Sequence, residues 1–348
     1  MNLPEINTDA MIQFLTELLN TPSPTGYTEK AIDLCERELA DLPGVDLRRT
    51  KKGALVARIP GEMDLPWRAL TAHVDTLGAM VKEIKSNGRL KLTKLGGFAW
   101  NTVEGEGVTV FTRGGNEVRG SLLMQKASAH VHGADVGKTE RNDDNMEVRL
   151  DARTMNADDT KKLGISVGDF VAFDPRVELT EGFVRSRHLD DKACVANVIY
   201  AVKALAEAGL KPKATTVLHI SNYEEVGHGA ASGIPDEVGE LISVDMAAVG
   251  DGQESDEFHA TLCVKDSGGP YHHGLSGRLR DLADQYEIPY KVDIYRYYGS
   301  DGEAFWRAGG DVALALIGPG VDASHNYERT HTEALVATTN WCLAYLIN

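Results

Sequence analysis

Two adjacent glutamates, Glu224 and Glu225, sit in the segment Asn-Tyr-Glu-Glu-Val-Gly at 222–227, downstream of a His-x-Asp pair (His73, Asp75) and an Asp-Asp pair (Asp190, Asp191). A pair of divalent cations needs about five or six protein ligands, one of them bridging, and a separate carboxylate to take a proton from water. The chain has a candidate for each of these roles, so the pattern reads as a two-metal hydrolase.

The spacing narrows the roles. His73 and Asp75 are two apart at the end of an apolar run, so on a strand both side chains point to one face. There the carboxylate can orient a liganding imidazole or support it electrostatically. Asp190 and Asp191 precede a helical pattern that begins near Lys192, where an isolated Asp-Asp would be a plain N-cap. Glu224 and Glu225 follow a β-rich run, and neighbours in extended backbone project in opposite directions; one can ligate while the other holds water. A solvated acidic turn is the alternative, but Val226, Gly227, Gly229 and Ala230 are small or apolar. Asp245 ends the apolar run 241–244, and His331 precedes the last helical pattern, where a partial helix cap is its ordinary role. As a set, one His, a bridging Asp and a further Asp can hold one cation, and the same Asp, a Glu and a second His the other. Carboxylates mixed with imidazoles suit Zn, Co or Mn rather than Ca or an iron–sulfur cluster.

The elements that must position these groups follow from periodicity. Helical spacing covers 8–20, 29–39, 192–208, 275–286 and 333–347; β-rich runs cover 45–49, 54–59, 68–72, 215–221, 241–245, 291–295 and 312–317. Strands alternating with helices imply an α/β protein whose sheet is covered on both faces and collects sites at the strands' carboxyl ends. Between them the texture changes to Gly-rich β segments at 89–95, 108–112, 117–124 and 169–173, so an all-β module at 77–186 is expected as an insert between 1–76 and 187–348. His130-x-His132 within it lacks an acidic partner set, His259, His272 and His273 read as loop residues, and Lys192 is positioned to neutralise the acidic cluster. Gly299-Ser300-Asp301-Gly302 and Gly318-Pro319-Gly320 lack the Gly-Lys-Ser/Thr of a phosphate loop and are expected to shape a substrate cleft.

The 348 residues are 42% apolar and carry 52 acidic against 36 basic side chains, a formal charge of -16 that argues against nucleic-acid or anionic-membrane partners. Cys35, Cys194, Cys263 and Cys342 form no C-x-x-C pair, and the first residues show no basic segment followed by an apolar run, so reduced thiols and a cytoplasmic location are expected.

The ordered motifs His-Val-Asp-Thr at 73, His-Leu-Asp-Asp at 188, Asn-Tyr-Glu-Glu-Val-Gly at 222, Ser-Val-Asp at 243 and Arg-Thr-His at 329 resemble the glutamyl aminopeptidase family of co-catalytic metallopeptidases, which includes the tetrahedral and deblocking aminopeptidases. The resemblance spans nearly the whole chain. It implies a zinc-peptidase-like domain with a central mixed sheet, interrupted by a small β-barrel that helps subunits associate, from dimers up to dodecamers. It also implies two divalent metal ions per subunit: His73, bridging Asp190 and Asp245 on one, Asp190, Glu225 and His331 on the other, with Glu224 as general base and Asp75 supporting His73. The implied reaction removes the N-terminal residue of a peptide. Thr76 and Lys192 stand where the family often has an acidic residue and an arginine, and His188 and His228 also depart from its pattern. The chain looks closest to a branch found with bacterial synthesis of the osmoprotectant N-acetylglutaminylglutamine amide. A deacylase or amidohydrolase of the same clan would share every ligand, and a metal-stabilised assembly protein would not need Glu224.

Overall fold

A computed structural model describes residues 2–348. Its backbone gathers into two compact units, one running through Asp75 and resuming at Arg176–Asn348, the other Thr76–Pro175.

The first unit is built on a mixed sheet of 13 strands among the described residues. Strand Met63–His73 lies between Ala214–Ser221 and Val238–Val244 and runs parallel to both, and Val238–Val244 runs parallel to Ala313–Asp322. Antiparallel partners flank this core: Leu55–Ile59 beside Ala214–Ser221, and Ala260–Asp266 beside Ala313–Asp322. The two-residue alternation of strand side chains sorts them onto two faces. Leu70, Leu218, Ile242 and Ala315 join the cluster that includes the buried sides of helices Thr8–Leu19, Leu189–Glu207 and Thr332–Ile347. Ala69, Val217, Leu241 and Leu314 join a second cluster, against which Phe305 and Trp306 of helix Asp301–Arg307 pack. Three parallel strands aligned in this way end together. Ser221 is paired with His73, and Val244, paired with Ile317, is followed at once by Asp245.

Helix Leu189–Glu207 is apolar on nearly every side, as a helix enclosed by neighbours must be. Its Lys192 is wholly buried but does not face the acidic cluster, contrary to the sequence expectation. Its Nζ donates to the carbonyls of Leu18 (2.9 Å) and Thr21 (2.7 Å), at the carboxyl end of helix Thr8–Leu19. The last carbonyls of a helix lack partners within it, and a cation suits that end of the dipole. Burial pushes the Lys192 pKa down to about 7. The Leu18 carbonyl also accepts from the Thr21 amide (3.1 Å), so Lys192→Met should remove one donor from each carbonyl without leaving Leu18 unpaired, and should lower stability by about 1–3 kcal/mol, read as a lower urea midpoint; an unchanged midpoint would remove this role.

The second unit is a closed barrel of six strands, ordered Gly78–Ile84, Leu90–Leu95, Met146–Leu150, Glu117–Met124, Gly107–Phe111 and Phe170–Phe173. Closure removes free strand edges, and Val81, Leu92, Val108, Leu122, Val148 and Val171 fill the interior. Gly78–Ile84 and Met146–Leu150 were not among the strands read from the sequence. His130 lies in a four-residue helix, Ala129–His132, with no buried residue. The expected insert end at 186 also moves: Glu178–Thr180 and Phe183–Ser186 belong to the 13-stranded sheet, where Phe183–Ser186 pairs with Glu328–His331. These two strands are short and partly polar, which gave them the texture of the insert. No helix among the described residues is long and apolar enough to cross a membrane.

Candidate metal centre

The site lies at the carboxyl ends of the parallel strands. His73 closes Met63–His73, and its Nδ1 is 2.9 Å from the backbone carbonyl of Asp75. A carbonyl can only accept, so Nδ1–H donates and Nε2 faces the acids. Nε2 is 3.2 Å from Asp190 Oδ1 and 3.5 Å from Glu224 Oε2. The orienting group on His73 is thus the Asp75 carbonyl; the Asp75 carboxylate is 3.7 Å from Nδ1 and is engaged elsewhere. Its Oδ1 accepts from the Glu224 amide (3.1 Å), and its Oδ2 accepts from the Glu225 amide (3.4 Å) and the Thr25 hydroxyl (2.7 Å).

Glu224 and Glu225 are not in extended backbone, as the sequence suggested, but in a single 3₁₀ turn, Glu224–Val226, between left-handed Tyr223 (φ 76) and Gly227 (φ 88). The two carboxylates still part company: Glu224 points to His73, while Glu225 Oε2 is 3.6 Å from His325 Nε2. Asp190 and Asp191 have non-helical backbone ahead of the helix proper. Asp190 faces the cluster, and Asp191 Oδ2 accepts from the His73 amide at 3.1 Å. Asp245 follows its strand, and its carbonyl lies 1.8 Å from where a Cβ on Gly318 would stand. Gly318-Pro319-Gly320 is therefore part of strand Ala313–Asp322, where the close approach excludes a side chain, and not part of a cleft loop.

His331 is not brought to the cluster. Its strand register places it opposite Phe183, and its ring stacks edge-on to Phe183 at 4.8 Å and against Phe258 at 5.1 Å. Nε2 faces the Glu181 carbonyl at 3.2 Å, and Nδ1 accepts from the Glu333 amide, capping the final helix. The imidazole at the acids is His325, on the loop between strands Ala313–Asp322 and Glu328–His331, with Nε2 3.4 Å from Asp190 Oδ2. Nothing in its Ser-His-Asn-Tyr context is periodic, and the short strand Glu328–His331 that follows it leaves no β-rich run in the sequence, so no local signal marks this residue.

Two donor groups result, His73–Asp190–Asp245 and Asp190–Glu225–His325, each with ligand atoms within 4.8 Å of one another and with Asp190 in both. The electrostatics fit cations. Burial, with added repulsion from neighbouring acids, raises Glu224 and Glu225 well above the carboxylate range, and burial and Asp190 push Asp245 up to about 7. Burial opposes charging Asp190 as well, but hydrogen bonds from His325 and His73 hold its carboxyl below the usual range. Burial disfavours a charged His73, and Glu224, Asp190, Asp191 and Asp75 override it to raise that pKa well above normal. So many buried carboxylates facing two imidazoles leave negative charge that divalent cations would neutralise.

A cleft of about 390 Å³ opens onto these groups, lined also by Tyr297, Tyr298, Gly299, Ser300 and Arg307. The mixed sheet with acids and imidazoles at its carboxyl ends is that of a metallopeptidase. The family model for M42 glutamyl aminopeptidase matches residues 53–340, and the chain belongs to that family. It is an aminopeptidase, a hydrolase acting on peptide bonds. The Bacillus subtilis (strain 168) protein named "Putative aminopeptidase YhfE" is 48% identical over 336 residues, 96% of each chain. The fold is shared with a TET aminopeptidase of the marine sediment archaeon Thaumarchaeota archaeon SCGC AB-539-E09 (TM-score 0.88, 17% identity, 98% of this chain and 96% of that one). It is shared too with the TET1 peptidase of Pyrococcus horikoshii (TM-score 0.85, 21% identity, 97% and 99%).

Proposed function

We propose that the chain releases N-terminal residues from short peptides with two divalent cations, one held by His73, Asp190 and Asp245, the other by Asp190, Glu225 and His325. Two donor groups that share Asp190, with Glu224 beside them, are the observation that carries this reading. Zinc is the proposed ion, given imidazole and carboxylate donors, with cobalt or manganese as substitutes. When bound, the cations supply Lewis-acid polarisation of the scissile carbonyl and of water.

The chain's own groups do the rest. Glu224, fixed through its backbone by Asp75, takes the proton from water on its carboxylate and passes it to the departing amine. Acids around the cleft receive the substrate's terminal ammonium, and the small cleft admits a short N-terminal segment.

We further propose that the chain assembles into homo-oligomers, from dimers up to dodecamers, through its barrel unit. The P. horikoshii TET1 peptidase, which shares the fold, can assemble into a tetrahedron or a large octahedral shell. A cytoplasmic site fits four buried, unpaired cysteines.

The test is hydrolysis of paired dipeptide substrates, free and N-acylated, by protein reloaded with zinc after chelation. Turnover of the free N-termini alone, lost on chelation and regained on reloading, is expected. Turnover confined to blocked substrates would replace the reading with a deacylase.

A further inference from the structure

We infer that Glu328 is a positioning residue for the cation pair, one carboxylate that fixes the backbones of two proposed ligands, Asp190 and His325, relative to each other. The inference rests on the two-cation reading above and deepens it.

Glu328 opens strand Glu328–His331, and its partner in the ladder is Ser186 of Phe183–Ser186, four residues before Asp190. The pairing therefore puts its side chain within reach of two of the three chain segments that enter the second donor group, those carrying Asp190 and His325. Oε2 accepts from the Asp190 amide at 3.1 Å, and Oε1 accepts from the His325 amide at 3.0 Å. The residue is 2% exposed. Burying a carboxylate beside other acids is costly unless its oxygens are bonded, and here each oxygen has an amide donor. Both oxygens are engaged, so Glu328 is not offered as a ligand, and it is absent from both donor groups.

The need for such a clamp is local. Ala323 (φ 57) and His325 (φ 62) both adopt left-handed backbone in the loop that carries the imidazole. Asp190 likewise stands at non-helical angles ahead of its helix. Neither ligand is held by a regular ladder or helix, and the separation between them decides whether Asp190 Oδ2 and His325 Nε2 can meet one ion. Groups that orient ligands in this way typically change metal affinity about 10–100-fold when replaced.

The test is a zinc titration of chelator-stripped full-length protein against a chromophoric competitor, with the absorption spectrum of the cobalt-loaded form as a second readout. Wild type should take two ions. Glu328→Gln keeps one acceptor but turns an NH₂ toward the second amide, and should bind one of the two ions about 10–100-fold more weakly, with an altered cobalt spectrum. If Glu328→Gln fails to fold, Glu328→Asp, which keeps the charge but is one methylene shorter, should show the same selective loss. Two ions bound by the folded variant with wild-type affinity would overturn the inference, as would a lowered melting temperature of the stripped variant with both affinities unchanged. Wild type that takes fewer than two ions would overturn the two-cation reading itself, and the inference with it.

Discussion

Glu224→Gln should lower kcat by about 10²–10⁴-fold while the bound metal stays at the wild-type amount, the range expected when a positioned general base is lost. The substitution is nearly isosteric, and the turn that carries residue 224 is held by the Asp75 carboxylate through the backbone amides of residues 224 and 225, which the exchange leaves intact. Glu224 is in neither donor group, so its charge is not needed to hold a cation. An amide cannot take the proton from water, and so the chemical step alone should fail. Glu225→Gln is the contrast: it weakens a donor 3.6 Å from His325 and should lose metal together with activity. Turnover of a free-N-terminal dipeptide and elemental analysis on the same preparation check both. If Glu224→Gln kept a large share of wild-type kcat, the base would have to be sought elsewhere.

How much of this site can be read in a sequence depends on where each residue stands relative to regular structure. His73 and Asp245 end apolar strands, Asp190 begins a helix, and Glu224 and Glu225 follow the strand Ala214–Ser221, so the pattern of burial that marks each element also marks its end. In a parallel arrangement those ends converge, and the structure brings all five residues together. The sheet's two-sided covering was legible for the same reason. Several long-range features were not. The role of Asp75 depends on a turn that comes back to meet it 149 residues later, and no local pattern records that contact. Lys192 follows two acids in sequence, yet its long side chain reaches a helix end formed by Leu18 and Thr21. The strands Glu178–Thr180 and Phe183–Ser186 are too short to show which sheet claims them, a choice made by pairing with Glu328–His331. Each of these is a long-range contact, and periodicity reports only local order.

The choice of histidine is the sharpest case, and the two candidates have opposite expected outcomes. His331 follows an Arg-Thr pair just before a well-marked helix, a position that draws attention in the sequence; His325 lies in a loop with left-handed backbone and no repeat. Geometry separates them. His325 Nε2 is 3.4 Å from Asp190 Oδ2, whereas the His331 nitrogens are occupied by the Glu181 carbonyl and the Glu333 amide. His325→Ala should thus remove a ligand outright, and a loss larger than the roughly 100-fold upper end seen for groups that only orient ligands is expected in affinity for one ion, with activity falling in step. His331→Ala should bind both ions as wild type does. It should instead lose the cap on the final helix and the ring contacts with Phe183 and Phe258, lowering stability by about 1–2 kcal/mol. Metal titration and urea unfolding of the two variants side by side decide the matter. A His331→Ala protein that lost an ion while His325→Ala kept both would return the second imidazole to the position that the sequence motif suggests, and would mean that the loop at 323–327 rearranges when cations bind.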